Sequence, residues 1–501
     1  MAIKITMLIL FFSIMVGVGI YCRRHATDVN GFVLGGRSVG PWLTAFAYGT
    51  SYFSAVIFIG YAGQFGWKFG LASTWIGLGN AFIGSLLAWV VLGRRTRIMT
   101  QHLQSKTMPE FFGTRFDSNM LKIVASVIVF IFLIPYTASL YNGLSRLFGM
   151  AFNLDYTVCI IVMAVLTGVY VIAGGYMATA INDFIQGIIM IVGIVAVIAA
   201  VLNTNGGFIS AVEALAKVSD ESVSTVPGAF ASFFGPDPFG LLCVVILTSL
   251  GTWGLPQMVQ KFYAIKNEEA IRKGTIISTI FAIIVAGGCY FLGGFGRLYD
   301  IDVAATGYDA IIPAMIAKLA PILIAVVVIL VLSASMSTLS SLVLASSSTL
   351  TLDLIKDNIV KKMDEKKQVF IMRIFIVVFI AVSAIIAVIQ YKSNVTFIAQ
   401  LMGISWGALA GAFLAPFIYS LYWKGVTKAA VIVNFIFGSG IMIANMLVKS
   451  VFPPVLQSPI NCGAFAMLAG LVIVPVVSLI TPKLKKEKTE KVFECYGKAE
   501  S

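Results

Sequence analysis

Ala47-Tyr48-Gly49-Thr50-Ser51-Tyr52-Phe53-Ser54 lies inside an otherwise apolar run, residues 41–66. Glycine weakens helical continuity, and serine and threonine hydroxyls compete for backbone partners, so the run predicts a helix that breaks midway. A second stretch has the same character: Thr248-Ser249-Leu250-Gly251-Thr252-Trp253-Gly254-Leu255-Pro256. There Pro256 also removes a backbone donor. In a bilayer, freed backbone groups are tolerated only where they line a cavity or bind something. Paired broken helices near the membrane midplane are how many transporters build their binding site. For either stretch alone, close helix packing through small residues is an equal alternative. Their placement five apolar runs apart, as in a five-plus-five repeat, favours the breaks.

The composition around these stretches is that of a membrane protein. Of 501 residues, 59% are hydrophobic and 11% charged, and the mean hydropathy is +0.96. Soluble chains have about 45–50% apolar and about 25% charged residues, so this chain cannot coat a soluble surface. That excludes a secreted disulfide scaffold, a disordered protein and an ordinary cytosolic enzyme. The six cysteines form no CxxC pair and read as small buried hydrophobes, not as a zinc or disulfide framework. Residues 5–21 could pass for a signal-peptide core, but Cys22-Arg23-Arg24 follows in place of a small-residue cleavage site.

A spanning helix needs about 20 mostly apolar residues. The stretches that qualify are 5–21, 41–66, 70–93, 122–148, 155–173, 183–202, 239–260, 274–296, 321–351, 369–390, 394–422, 426–448 and 462–480. The expected architecture is therefore an all-α polytopic membrane protein with 13 transmembrane helices. With the N-terminus outside and the C-terminus inside, only Lys4, Lys68, Arg146, Lys217, Arg297, Lys318, Lys392 and Lys449 fall outside, leaving 27 of the 35 basic residues on the cytoplasmic side. The positive-inside rule selects that orientation. The formal charge of +13 is then an orientation signal and calls for no nucleic-acid partner. The expected organisation is a first helix and loop (1–40), a first repeat of five helices (41–202), an external loop (203–238), a second repeat (239–423), two peripheral helices (424–480) and a mobile cytoplasmic tail (481–501). Short external helices are expected near 208–217 and 307–319.

Two polar features lie at membrane depth. Span nine carries Ser333-Ala334-Ser335-Met336-Ser337-Thr338-Leu339-Ser340-Ser341. Hard cations prefer oxygen ligands, and Ser337 and Thr338 hydroxyls could complete a shell begun by carbonyls freed at the first break. The competing reading is hydroxyls bonded to their own helix or bridging neighbours. Asp183, in Asn182-Asp183-Phe184-Ile185-Gln186-Gly187, is a functional candidate as an intramembrane acid. Its alternative is an N-cap at the start of span six.

Four motifs taken in order resemble the sodium:solute symporter family, which includes proline, pantothenate, sugar and sialic-acid carriers. They are Gly35-Gly36-Arg37-Ser38-Val39-Gly40, Gly174-Gly175-Tyr176 with Asn182–Gly187, Pro256-Gln257-Met258-Val259-Gln260-Lys261-Phe262, and Met336-Ser337-Thr338-Leu339-Ser340. The resemblance covers roughly residues 5–480 and is closest to the pantothenate-type carriers. It implies a leucine-transporter-type inverted repeat formed by spans two to eleven. It also implies a main sodium site at Thr50, Phe53 and Ala334 (carbonyls) with Ser337 and Thr338 (hydroxyls). A second sodium held by Asp183, Ser337, Ser340 and Ser341 is implied in some members. Where the proline carriers have an aspartate and a tryptophan, this chain has Tyr52 and Thr248, which argues against simple proline specificity. Substrate-facing candidates are Ser51, Tyr52, Ser54, Tyr136 and Thr137, with Thr248, Trp253 and Gln257 from the second break.

The resulting expectation is a sodium-coupled symporter that takes up a small carboxylate-bearing solute, such as pantothenate, an amino acid or an organic acid, by alternating access. It would sit in a bacterial plasma membrane, with sodium as coupling ion, no other cofactor and no obligatory protein partner. The alternatives are a proton-coupled carrier of the same fold using Asp183, a sodium-coupled sugar or sialic-acid carrier, and a transporter-like sensor. No paired acid and base, HExxH or Ser/His/Asp set lies at membrane depth, so an enzyme is not expected.

Overall fold

The computed structural model describes residues 2–23, 26–153, 155–356, 359–360, 363–393 and 398–497. Arg24, Lys361, Lys362 and Lys498 of the cytoplasmic basic set, and the predicted opening of the eleventh span at 394–397, lie outside the described residues. The described chain is all-helical, without strands; a single parallel bridge ties Val39 to Ile265. Ten helices among the described residues are long and apolar enough to cross a membrane, and eleven if one bent pair counts as a span. Their outward faces carry Ile9, Leu10, Val90, Val192, Ile276 and Ile389, all exposed. On a soluble protein such a coat would aggregate; facing lipid it is the required surface.

Both predicted breaks are present. The first helix, Pro41–Tyr52, stops at Phe53 (φ −89°, ψ 120°) and the chain resumes helical form at Ala55, through a π turn at Val56–Tyr61. The second, Pro238–Gly254, stops at Leu255 (φ −81°, ψ 122°) and continues as Pro256–Ala264, bent by 46°. Pro256 suits the first position of that half-helix, where no backbone donor is needed.

Two glycines account for helices that run together. After Phe69 the chain turns through Gly70–Ser73, with Gly70 at φ +63° and a Cβ there only 2.0 Å from the Phe230 carbonyl oxygen. That turn separates the predicted spans 41–66 and 70–93 within the continuous helical stretch Val56–His102. Likewise Tyr156–Thr204 contains Gly175 at φ 56°, ψ −151°, where a Cβ would meet the Phe32 ring and carbonyl at 2.9 Å. The helix after this kink starts at 176, not at 183 as the hydropathy alone suggests. Asn182 and Asp183 therefore lie two turns inside it, and the N-cap reading of these residues is corrected.

Gly35 (φ +57°), Gly36 (φ +67°) and Arg37 (φ 55°) form a left-handed turn before the first broken helix. It delivers the Arg37 guanidinium to the carbonyls of Ser105 (2.6 Å) and Tyr263 (3.2 Å), strapping the end of the second broken helix to the loop after Arg94–His102. The two short helices appear as expected, at Phe208–Ala216 and Ile311–Ala317. The expectation of a mobile tail is corrected. Lys486–Gly497 is a helix packed on Arg94–His102, with Val492 and Phe493 buried, because its apolar residues recur on one face. All six cysteines are buried and none is in a disulfide.

Candidate ion and substrate site

The break at Phe53 leaves the last carbonyls of Pro41–Tyr52 without their helical partners. The helix Pro321–Ser348 crosses beside it and is buried on every side from Leu330 to Ser348. Ser337 Oγ lies 3.0 Å from the Thr50 carbonyl oxygen and 3.0 Å from that of Ala334. Thr338 Oγ1 lies 3.2 Å from Thr50, 3.3 Å from Phe53 and 3.1 Å from Ala334, again at carbonyl oxygens. Three carbonyl and two hydroxyl oxygens, all fully buried, thus converge on one point. A hydroxyl carries one proton and a carbonyl none, so two protons serve five oxygen-to-oxygen contacts. The cluster is proton-poor, and a hard monovalent cation is the ligand such a donor set fits.

The same helices satisfy the amides freed on the far side of the break. Ser335 Oγ accepts from the Ala55 amide (3.0 Å), and Ser54 Oγ from the Val56 amide (3.2 Å). Ser335 was not foreseen; its place two residues from Ser337 on the buried helix was the available signal.

One turn further along the serine helix the surroundings change. Ser341 Oγ lies 2.9 Å from Ser51 Oγ and accepts from the Lys261 ammonium at 2.9 Å. Lys261 Nζ is also 3.6 Å from Asp183 Oδ2, and both side chains are buried, at 3% and 0% exposure. Those numbers place the pair out of reach of water. Ser340 Oγ turns back to the Ser337 carbonyl (2.8 Å). Of the four residues that the resemblance linked to a second sodium, Ser337 thus belongs to the first cluster, and Asp183 and Ser341 meet through Lys261. Sequence reasoning counted Lys261 among the loop cations, because a lysine at the end of an apolar run looks like a membrane flank.

The substrate-facing candidates separate into two groups. Ser51 and Ser54 are engaged as described, and Thr137 and Thr248 bond back to their own helices at Leu133 (3.0 Å) and Val244 (2.9 Å). Trp253 Nε1 donates to the Ile83 carbonyl (3.0 Å). The Tyr52 side chain lies outside the described residues. Tyr136 is fully buried and packs edge-on to Trp406, with ring centroids 5.8 Å apart. Trp406, unforeseen, sits against Gly251, where a Cβ would come within 3.0 Å of its ring. Gln257 is 1% exposed, yet among the described residues neither its Nε2 nor its Oε1 has a hydrogen-bond partner. Burying an amide unpaired costs about 1–3 kcal/mol, a cost that a ligand able to pair with it would relieve.

The family model described as the sodium:solute symporter family matches residues 32–438. Among curated proteins, a sodium/proline symporter of Staphylococcus aureus is 29% identical, covering 96% of this chain and 92% of its own length. Among solved structures, that of a substrate-bound, outward-open Na+-coupled sialic acid symporter superposes with a TM-score of 0.76 at 16% identity, covering 96% of this chain and 98% of its own. A manganese transporter of Eremococcus coleocola superposes at 0.53 and 11% identity, covering 90% of this chain and 95% of that one.

Proposed function

The chain belongs to the sodium:solute symporter family, a multi-pass membrane carrier and not an enzyme, and on that premise we propose that it couples the inward movement of one sodium ion at the Thr50–Phe53–Ala334–Ser337–Thr338 cluster to uptake of a small carboxylate-bearing solute. The proton-poor oxygen cluster carries this reading. It joins the first broken helix to the serine helix, so an ion bound there holds two elements together and its release frees them. Solute binds beside it, between the two breaks, with Gln257 as the amide that meets it and Tyr136 and Trp406 as its aromatic walls. The carboxylate class is supported by the Staphylococcus aureus relative being named for proline and by an amide that can donate to a carboxylate. Proline itself is disfavoured by Tyr52 and Thr248.

The proposed topology has thirteen spans. To the ten long helices it adds the bent pair Pro238–Ala264, the half of Tyr156–Thr204 before Gly175, and the first broken helix counted apart from the stretch after Gly70. Thirteen spans place the termini on opposite faces, and the distribution of basic residues puts the N-terminus outside. The repeats are assigned to 41–202 and 239–423.

Purified protein in proteoliposomes tests the function. Uptake is screened against pantothenate, proline, short carboxylates, sugars and sialic acid under an inward sodium gradient and under potassium replacement. The expected result is accumulation of a carboxylate that collapses without sodium. Sodium-independent accumulation would remove the ion assignment, and accumulation of a neutral sugar alone would remove the substrate class.

A further inference from the structure

The buried ammonium of Lys261 has a defined set of partners. It belongs to Pro256–Ala264, the half-helix after the second break. Asp183 comes from the helix after the Gly175 kink, Ser341 from the serine helix, and Ser51 from the first broken helix. Three separate elements thus meet at one cation, and the first broken helix joins them through Ser341. A lysine ammonium only donates and a carbonyl only accepts, and the two ends together fix the direction of the chain between them. Lys261 donates to Ser341 Oγ, Ser341 to Ser51 Oγ, and Ser51 to the Ala47 carbonyl at 2.5 Å. The face of the Tyr176 ring lies 5.2 Å from the same ammonium, an orientation that also favours a cation. A carboxylate, a hydroxyl and an aromatic face are arranged around a positive charge, and the positive charge is part of the chain.

We propose that Lys261 is a tethered cation occupying a second cation site, so that this carrier binds one sodium ion where an empty Asp183–Ser341 site would admit two. The inference rests on the reading of the Thr50–Thr338 cluster as the main sodium site. Asp183 buried alone would be strongly unfavourable and would draw in a mobile cation; Lys261, 3.6 Å away, balances it from within the chain. The two sites are one helical turn apart, since Ser337 and Ser341 are related by i and i+4, about 5–6 Å along the axis. Two sodium ions at that separation would repel each other. An ammonium there exerts the same repulsion, offset by Asp183, but as a fixed part of the chain and not as an ion that comes and goes.

The test counts sodium ions bound at saturation to the full-length chain in nanodiscs, using radioactive sodium, for wild type, Lys261→Met, Lys261→Gln and Lys261→Met combined with Asp183→Asn. One ion per chain is expected for wild type and two for either neutral single variant, with the Hill coefficient for sodium rising from one towards two. The double variant is expected to return to one. Two ions bound by wild type would overturn the proposal even if the variants failed to fold. So would a single ion in folded Lys261→Met and Lys261→Gln. Failure of the underlying reading looks different: wild type would bind none, or Ser337→Ala with Thr338→Ala would leave the wild-type ion in place.

Discussion

The two breaks have nearly the same backbone and opposite surroundings. Phe53 and Leu255 share an extended conformation (φ −89°, ψ 120° against φ −81°, ψ 122°) between helical segments. At the first, the freed carbonyls of Thr50 and Phe53 point at the hydroxyls of Ser337 and Thr338. At the second, the nearby polar side chains are spent on packing. Thr252 donates to the Gly84 carbonyl (3.1 Å) and Trp253 to that of Ile83. Gly254 lies so close to Ile398–Tyr422 that a Cβ would stand 2.8 Å from Ala410 Cα. What remains open at the second break is the Gln257 amide. A break in a helix is therefore not a site in itself; the neighbouring helix decides whether it gathers oxygens or is pressed shut.

The contrast can be broken most sharply at the first break. Each hydroxyl that contacts an ion is treated as a hydrogen bond to a charged group, about 1.5–3 kcal/mol. Replacing both in Ser337→Ala/Thr338→Ala is expected to weaken sodium binding by at least about 100-fold, at about 1.4 kcal/mol per tenfold. The check is the sodium concentration for half-maximal uptake; an unchanged value would refute the cluster as the coupling site.

At the second break, Gln257→Leu removes an unpaired amide and keeps the volume. Apparent solute affinity is expected to fall about tenfold, or roughly 1.4 kcal/mol, with the sodium requirement unchanged. Thermal stability without solute is expected to rise, because the desolvation penalty is gone. Loss of both stability and transport would mean that Gln257 is structural.

The smallest effect concerns the helix that touches both breaks. Ile398–Tyr422 packs its start on Gly60 of the first broken helix and its middle on Gly254. Asp309, from the short helical stretch before Ile311–Ala317, accepts from the Ile398 amide at 3.4 Å. Burial pushes the Asp309 carboxyl up from 3.8 to about 6, with nearby Arg146 opposing the shift. Between those values the folded chain holds a proton that the unfolded chain has released. Its stabilising contribution is complete below about pH 4 and lost as pH rises through about 6. Thermal midpoints of Asp309→Asn and wild type should therefore diverge by a few degrees between pH 4.5 and 7, with uptake unaffected. Parallel pH profiles would show that Asp309 titrates normally.

The oxygen cluster was legible from sequence because its signals are local. A Gly/Ser-rich interruption and a hydroxyl-rich run each show within ten residues, and the family resemblance joins them. Lys261 was not, since its partners Asp183 and Ser341 lie 78 and 80 residues away and its own neighbourhood reads as a basic flank. Trp406 was missed for the same reason: an aromatic in an apolar run carries no sign of the glycine it covers. Asp183 was recognised but misplaced, because hydropathy does not register the left-handed Gly175 that starts its helix early. The docked tail was misread because its composition is that of a solvated segment, while Val492 and Phe493 find a surface supplied by residues almost 400 positions earlier.

An oxygen cluster without formal charge, beside a carboxylate cancelled by Lys261, leaves the centre of the empty carrier electrically neutral. On the proposed one-sodium coupling, loading sodium adds one positive charge; a zwitterionic amino acid leaves that sum unchanged, whereas a carboxylate anion such as pantothenate cancels it. With a zwitterionic solute, membrane voltage acts on the loaded, inward leg of the cycle, worth about 2.3 kcal/mol per charge per 100 mV. The unloaded return leg crosses the same field without being pushed or held by it.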